Sequence, residues 1–143
     1  MSREEEPVLA ALREQVAAQG LTRSLGLELE ELGAGRAQVS MTCRPEMTNI
    51  LGMVSGSAIF ALMDEAFQVA VNAHGTVAVA LNMNLTFHQA PKVGERLTAL
   101  AREIHGGRRT ATCYIEARDS QGGLVASCQA LAYRKGQPLP FIP

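Results

Sequence analysis

Residues 49–67 read NILGMVSGSAIFALMDEAF. Glycines and serines lead into an apolar run, and two adjacent carboxylates, Asp64 and Glu65, stand inside that run. From 57 to 73 apolar side chains occupy nearly the whole helical circumference, which predicts a helix enclosed on most sides rather than one lying on a surface. Asp64, Gln68 and Asn72 recur every four residues and make one narrow polar stripe. Glu65 points about 100° away from Asp64 and reads as a structural or rim residue. The stripe is the side expected to face something polar: solvent, a ligand or another chain. Gly75 is the expected C-terminal stop.

The start of this helix carries its own chemistry. Around Gly56 and Ser57 the backbone N–H groups have no helical acceptor, and the helix dipole adds partial positive charge. Gly56 has no β-carbon, so a ligand can approach its backbone closely. Such a terminus can hold a carbonyl oxygen that becomes an oxyanion. Ser55, or alternatively Ser57, reads equally well as an ordinary N-cap. Asn49 reads as a turn residue. Gly56 and Asp64 are eight residues apart, about 12 Å along a helix. One electrophilic carbon cannot easily reach both within a single chain. Acting on one substrate, they would come from two antiparallel helices of a dimer, with Gly56 of one chain opposite Asp64 of the other.

Outward from the helix the chain reads as strands. On its N-terminal side, Leu25, Leu27 and Leu29 alternate with Gly26, Glu28 and Glu30. GAGR (33–36) supplies a hairpin turn, and Ala37, Val39, Met41 and Cys43 alternate with polar residues. Residues 44–56 form a loop. On the C-terminal side, Val77, Val79, Leu81, Met83, Leu85 and Phe87 are expected to share one face of a strand. Further strands follow at about 95–105, 108–118 and 124–134, separated by glycine-bearing turns. Residues 5–19 have Val8, Leu9, Leu12 and Val16 at helical spacing, with Gly20 ending that helix. The organisation is thus a helical leader (1–24), one domain (25–135) and a proline-rich tail (136–143) expected to be irregular. One apolar helix and one antiparallel sheet must bury each other, which places the chain in the α+β class. A curved sheet wrapped around helix 57–73 is the economical solution.

Composition narrows the functions. The 143 residues suit one domain with a real core. A net charge of -1 gives no basic field for nucleic acid, and no apolar run is long enough to cross a bilayer. The acidic start MSREEE is unlike a secretory signal. Cys43, Cys113 and Cys128 are far apart and form no metal-ligand cluster with His74, His88 or His105. Three reduced thiols in a cytoplasmic protein, with no metal, is the expectation. His74 is read as complementing the helix C-terminus, and His88 as a surface residue.

The pattern N-x-x-G-x-x-x-G, followed eight residues later by D-x-A-F, resembles the hotdog-fold acyl-CoA thioesterases of the phenylacetate-degradation (PaaI-like) type. Here it comprises Asn49, Gly52, Gly56 and Asp64-Glu65-Ala66-Phe67. MNLTF (83–87), PKVGERLTALA (91–101), RRTATCYIEA (108–117) and GGLVASCQALAY (122–133) resemble that family's strands in their order. The resemblance implies a hotdog dimer, commonly paired into a tetramer, with sites at the dimer interface. It implies that the Gly56 amide and Asn49 polarise a thioester carbonyl. It implies that Asp64 of the facing chain activates or orients water, or attacks directly. No cofactor is implied, coenzyme A being part of the substrate. Ser55, Ser57 and Gln68 become substrate-binding candidates, and Arg108 and Arg109 candidates for phosphate contacts. Relatives commonly read HGG where this chain has SGS at 55–57, and carry a hydroxyl where alignment places Ala80. These departures keep a non-catalytic acyl-CoA binder or sensor open as the alternative. A hydratase ranks last, for want of a histidine before the helix.

Overall fold

The computed structural model describes residue 3 and residues 5–142. Two helices open the chain: α1 (Glu5–Ala18), which buries Leu9, Leu12 and Val16, and the short α2 (Gly20–Leu25). Strands β1 (Glu28–Gly33) and β2 (Arg36–Thr42) form a hairpin, and a single 3-10 turn (Pro45–Met47) leads to the long helix α3 (Gly56–Asn72). Four strands follow: β3 (Thr76–Phe87), β4 (Arg96–Gly106), β5 (Thr110–Arg118) and β6 (Leu124–Pro138). They join β1 and β2 in one antiparallel sheet of order β1-β2-β4-β5-β6-β3. The architecture is therefore α+β, with six strands packed on one helix, as expected for a hotdog fold.

Helix α3 touches all six strands, which requires the sheet to curl around it. Its core face consists of Ala58, Ile59, Leu62, Met63, Ala66, Phe67, Val69, Ala70 and Val71, all buried. Opposite them lie Val39, Met41, Leu97, Ile115 and Val125, together with a row of alanines at 99, 101, 117, 126, 130 and 132. Alanines across the middle strands let the sheet approach the helix closely, while each large side chain of α3 contributes about 1.5–3 kcal/mol by its burial. No described helix is long and apolar enough to cross a membrane.

Three local expectations are corrected. The strand alternation expected from Leu25 does not start there: α1 stops at Ala18, residues 20–25 form a second helix α2, and β1 begins only at Glu28. Gly26 adopts φ +66, a left-handed conformation that glycine tolerates, and caps α2 by donating to the carbonyls of Thr22 and Arg23. In β3 the single apolar face is broken by a register shift between Ala80 and Asn82. Ala78 is buried, Val79 and Leu81 are exposed, and Met83 and Leu85 pack on the core. The extra residue of such a bulge reverses which side chains point inward. Finally, β6 runs on through Gly136 to Pro138, where it pairs with Thr76. The irregular tail expected from 136 is thus partly strand, since an edge position tolerates the missing N–H of proline. The GAGR turn forms as expected, with Gly33 paired to Arg36 and Gly35 at φ +73.

Candidate active site

The loop before α3 is a small hairpin. Thr48 bridges Val54, Asn49 N–H donates to the Met53 carbonyl (2.8 Å), and Gly52 at φ +74 donates to the Asn49 carbonyl (3.0 Å). The Asn49 side chain holds this turn: its Oδ1 accepts from the backbone N–H of Leu51 (2.9 Å) and of Met53 (3.2 Å). Both readings of Asn49 are therefore compatible in one residue. The acceptor end is spent on the turn, and among the described residues Nδ2 donates no hydrogen bond. The Ser55 N–H, bonded to the Met47 carbonyl (2.8 Å), ties the end of the hairpin to the helix start.

Ser55 is the N-cap of α3. Its Oγ accepts from the Ser57 N–H (3.3 Å) and pairs with the Ser57 hydroxyl (2.8 Å). The two serines line a cavity of about 550 Å³ with Arg44, Met47 and Ala61. Gly56 turns the other way, into a cavity of about 450 Å³ beside Met53, Ile59 and Phe87. A β-carbon on Gly56 would lie 2.9 Å from Phe87 Cζ, closer than carbon atoms tolerate. A side chain here would thus displace the Phe87 ring, which lies against the Gly56 α-carbon.

Two turns along α3, Asp64 is half-buried and Glu65 is 6% exposed. Burial raises the pKa of both carboxyls above their ordinary values. They differ in their partners. For Glu65, Oε1 accepts from Gln19 Nε2 (3.2 Å) and Oε2 from Gln68 Nε2 (3.1 Å), bonds that partly offset the burial. The Gln68 amide also donates to Gln19 Oε1 (3.0 Å). Burial is the single cause acting on Asp64, whose carboxylate receives no hydrogen bond among the described residues. Its charge is felt by the buried Cys128, whose thiol burial has already pushed up. The polar stripe accordingly splits. Asn72 is consumed inside the chain, its amide bonding the Gln68 and Ala78 carbonyls and the Ala78 N–H. Gln68 is committed to Glu65, and of the stripe Asp64 alone is left without a hydrogen-bond partner among the described residues.

Arg108 and Arg109 sit in the exposed turn between β4 and β5. That turn adjoins Arg134, whose N–H donates to the Arg109 carbonyl (2.7 Å). Arg134 lies across from Ala78, near the start of β3, whereas Gly56 meets Phe87 at its end. At about 3.3 Å per residue the two places are roughly 30 Å apart within one chain. Beyond the candidates, Gln19 and Phe87 touch the site. The alternation of β3 placed Phe87 on its apolar face, but no local pattern signals a contact between Gln19 and Glu65, 46 positions apart. Cys43, Cys113 and Cys128 are free and buried, and burial pushes the Cys113 thiol up to about 12, which makes it a poor nucleophile. No three His, Cys, Asp or Glu side chains cluster as metal ligands among the described residues.

Residues 51–126, a span holding both Gly56 and Asp64, match the model of the Thioesterase superfamily. Over 116 residues the chain is 34% identical to a protein of Archaeoglobus fulgidus provisionally named an esterase, with 81% of this chain and 75% of that one covered. Over 114 residues it is 32% identical to the acyl-coenzyme A thioesterase PaaI of Escherichia coli K12, with 80% and 81% covered. The solved structure of the E. coli PaaI protein from the phenylacetic acid degradation operon superposes with a TM-score of 0.89 at 28% identity, covering 94% of this chain and 97% of that one. The chain belongs to the thioesterase superfamily and is a PaaI-like hotdog protein.

Proposed function

We propose that the protein is an acyl-CoA thioesterase that hydrolyses a small aromatic or short-to-medium acyl thioester at a site shared by two copies of the chain. The carrying observation is Asp64: a half-buried carboxylate on an otherwise enclosed helix, without a hydrogen-bond donor among the described residues. Gly56 lies about 12 Å away on the same helix, so an antiparallel second helix is needed to bring a Gly56 amide to it. The outer edge of β3 supports such pairing, since residues 76–87 contain no charge and no proline to block a further strand. A dimer, or two dimers paired as a tetramer, satisfies both requirements.

In this reading the Gly56 N–H and Asn49 Nδ2 of one chain hold the thioester oxygen as it becomes negative. Asp64 of the facing chain takes a proton from water as the water oxygen bonds the carbonyl carbon. The carbon–sulfur bond then breaks, and the proton passes to the departing thiolate, giving acid and free thiol. Direct attack by Asp64, with an anhydride that water later opens, yields the same products. Ser55 and Ser57 serve the helix start and the Arg44 cavity beside it, Gln68 the wall next to Asp64. Arg108 and Arg109, distant from Gly56 in one chain, reach coenzyme A phosphates only from the facing chain. The three free thiols fit a reducing, cytoplasmic compartment.

The test is thiol release from a panel of acyl-CoAs, with the Asp64→Ala protein as comparison. Turnover abolished by the substitution is the expected result. One observation favours a second reading as an acyl-CoA binder or sensor: Ser55, where relatives commonly carry a histidine, has its oxygen engaged by Ser57. Retained acyl-CoA binding with no turnover across the panel would select it.

A further inference from the structure

A cavity of about 230 Å³ lies between α1, the C-terminal half of α3 and the tail after β6. Leu12, Val16, Val69, Leu139 and Phe141 form its apolar walls, and Gln68 sits at the side nearer Asp64. We infer that this cavity receives the acyl group of the thioester, and that the leader helix and tail set the acyl length the protein accepts. The inference rests on the thioesterase reading of Asp64.

Three features lead there. Gln68 follows Asp64 by one helical turn, about 6 Å, so the cavity opens where an acyl chain leaving the reacting carbonyl would go. Its size falls below the range of roughly 300–1,000 Å³ typical for drug-sized ligands, which suits a phenyl ring or a short alkyl chain. The amide N–H groups of its half-buried polar wall are already engaged. Gln19 and Gln68 are bonded to Glu65 and to one another, and Asn72 to the backbone at Ala78. Gln15, the remaining amide, is exposed at the mouth. Gln68 Oε1 accepts no hydrogen bond among the described residues. The five apolar side chains of the wall still leave the rest of a polar acyl group without a partner, so apolar acyl groups are favoured.

The experiment compares wild type with Phe141→Ala, which widens the cavity, and Gln15→Trp, which narrows its mouth. Both positions are partly or fully exposed, and thermal melts verify that each variant is folded. The readout is the ratio of kcat/KM for decanoyl-CoA to that for butyryl-CoA. It should rise about tenfold or more in Phe141→Ala and fall by a similar factor in Gln15→Trp. Dissociation constants for the matching non-hydrolysable thioether analogues should move in the same directions. Turnover with unchanged ratios in both variants would overturn the cavity assignment and leave the thioesterase reading standing. Absent turnover with shifted binding ratios would overturn the enzyme and keep the cavity. Neither turnover nor binding would remove both.

Discussion

Replacing Gly56 by alanine separates what the glycine does for the fold from what it does for a substrate. The backbone there has no left-handed strain, so the substitution is decided by space alone. The new β-carbon would lie 2.9 Å from Phe87 Cζ and 3.3 Å from Cε1 and Cε2. Carbon contacts are favourable near 3.5–4.0 Å, so the ring must withdraw by roughly 0.6–1 Å. Phe87 is 51% exposed and can swing outward, while alanine favours helix by up to about 1 kcal/mol over glycine. The two effects oppose, and urea titration should show a stability change within about 1 kcal/mol. Activity should respond far more, because the methyl group and the displaced ring both occupy the approach to the Gly56 amide. Loss of one oxyanion donor costs about 10²–10³ in kcat, measurable by thiol release. Adding Phe87→Ala relieves the ring contact. Turnover should stay low in the double variant if the methyl group itself blocks the amide. A folded Gly56→Ala protein with turnover within about twofold of wild type would refute the assignment of the thioester oxygen to this amide.

Asp64→Asn should lower kcat by about 10²–10⁴. In wild type the acid limb of the rate profile should lie above the ordinary aspartate value of 3.8, because burial disfavours the charged carboxylate. The stability effect has the opposite sign. A carboxyl whose folded pKa is raised contributes stability that is full below its unfolded pKa and is lost as pH rises through the folded value. The melting temperature of Asp64→Asn should therefore gain on wild type as pH rises from 3 toward 7; a gap independent of pH would contradict it. Mixed dimers of Asn49→Ala and Asp64→Ala chains hold one site with both residues intact and one with neither. Partial turnover in verified heterodimers is expected, and none would count against a site split between chains. Phe67→Ala removes a fully buried ring of α3 and should cost about 3–5 kcal/mol in denaturant unfolding; a cost under 1 kcal/mol would contradict the packing described.

The sequence made α3 and its role readable because burial on most sides leaves a pattern without a polar face. The GAGR hairpin was equally legible, since its two-residue turn needs a glycine at positive φ. β3 was misread in one respect: alternation assumes an unbroken register, and a bulge leaves no residue signature in VALN (79–82). The same limit hid α2, a six-residue helix between two glycines that borrows leucines from an apparent strand pattern. At the candidate site, Asp64 and Gly56 were singled out by spacing and chemistry, and Asn49 by the resemblance to the family. What spacing could not supply was the fate of Glu65 and Gln68, which depends on Gln19 arriving from a distant helix. Nor could it foresee that Ser55 and Gly56 open into different cavities, a matter of how successive residues project from the first helical turn.

The outer edge of β3 has a consequence for the life of a newly made chain. Twelve residues long, it exposes Val79 and Leu81 and bears none of the charges or prolines by which lone strands discourage company. A chain that has folded but not yet met a second copy carries that edge open, and any extended polypeptide nearby can add to it. If the chain pairs as proposed, the interval between folding and pairing is its most hazardous period. It lengthens as the chain becomes scarcer, so yield from a weakly expressed gene would be set by encounter rate as much as by stability.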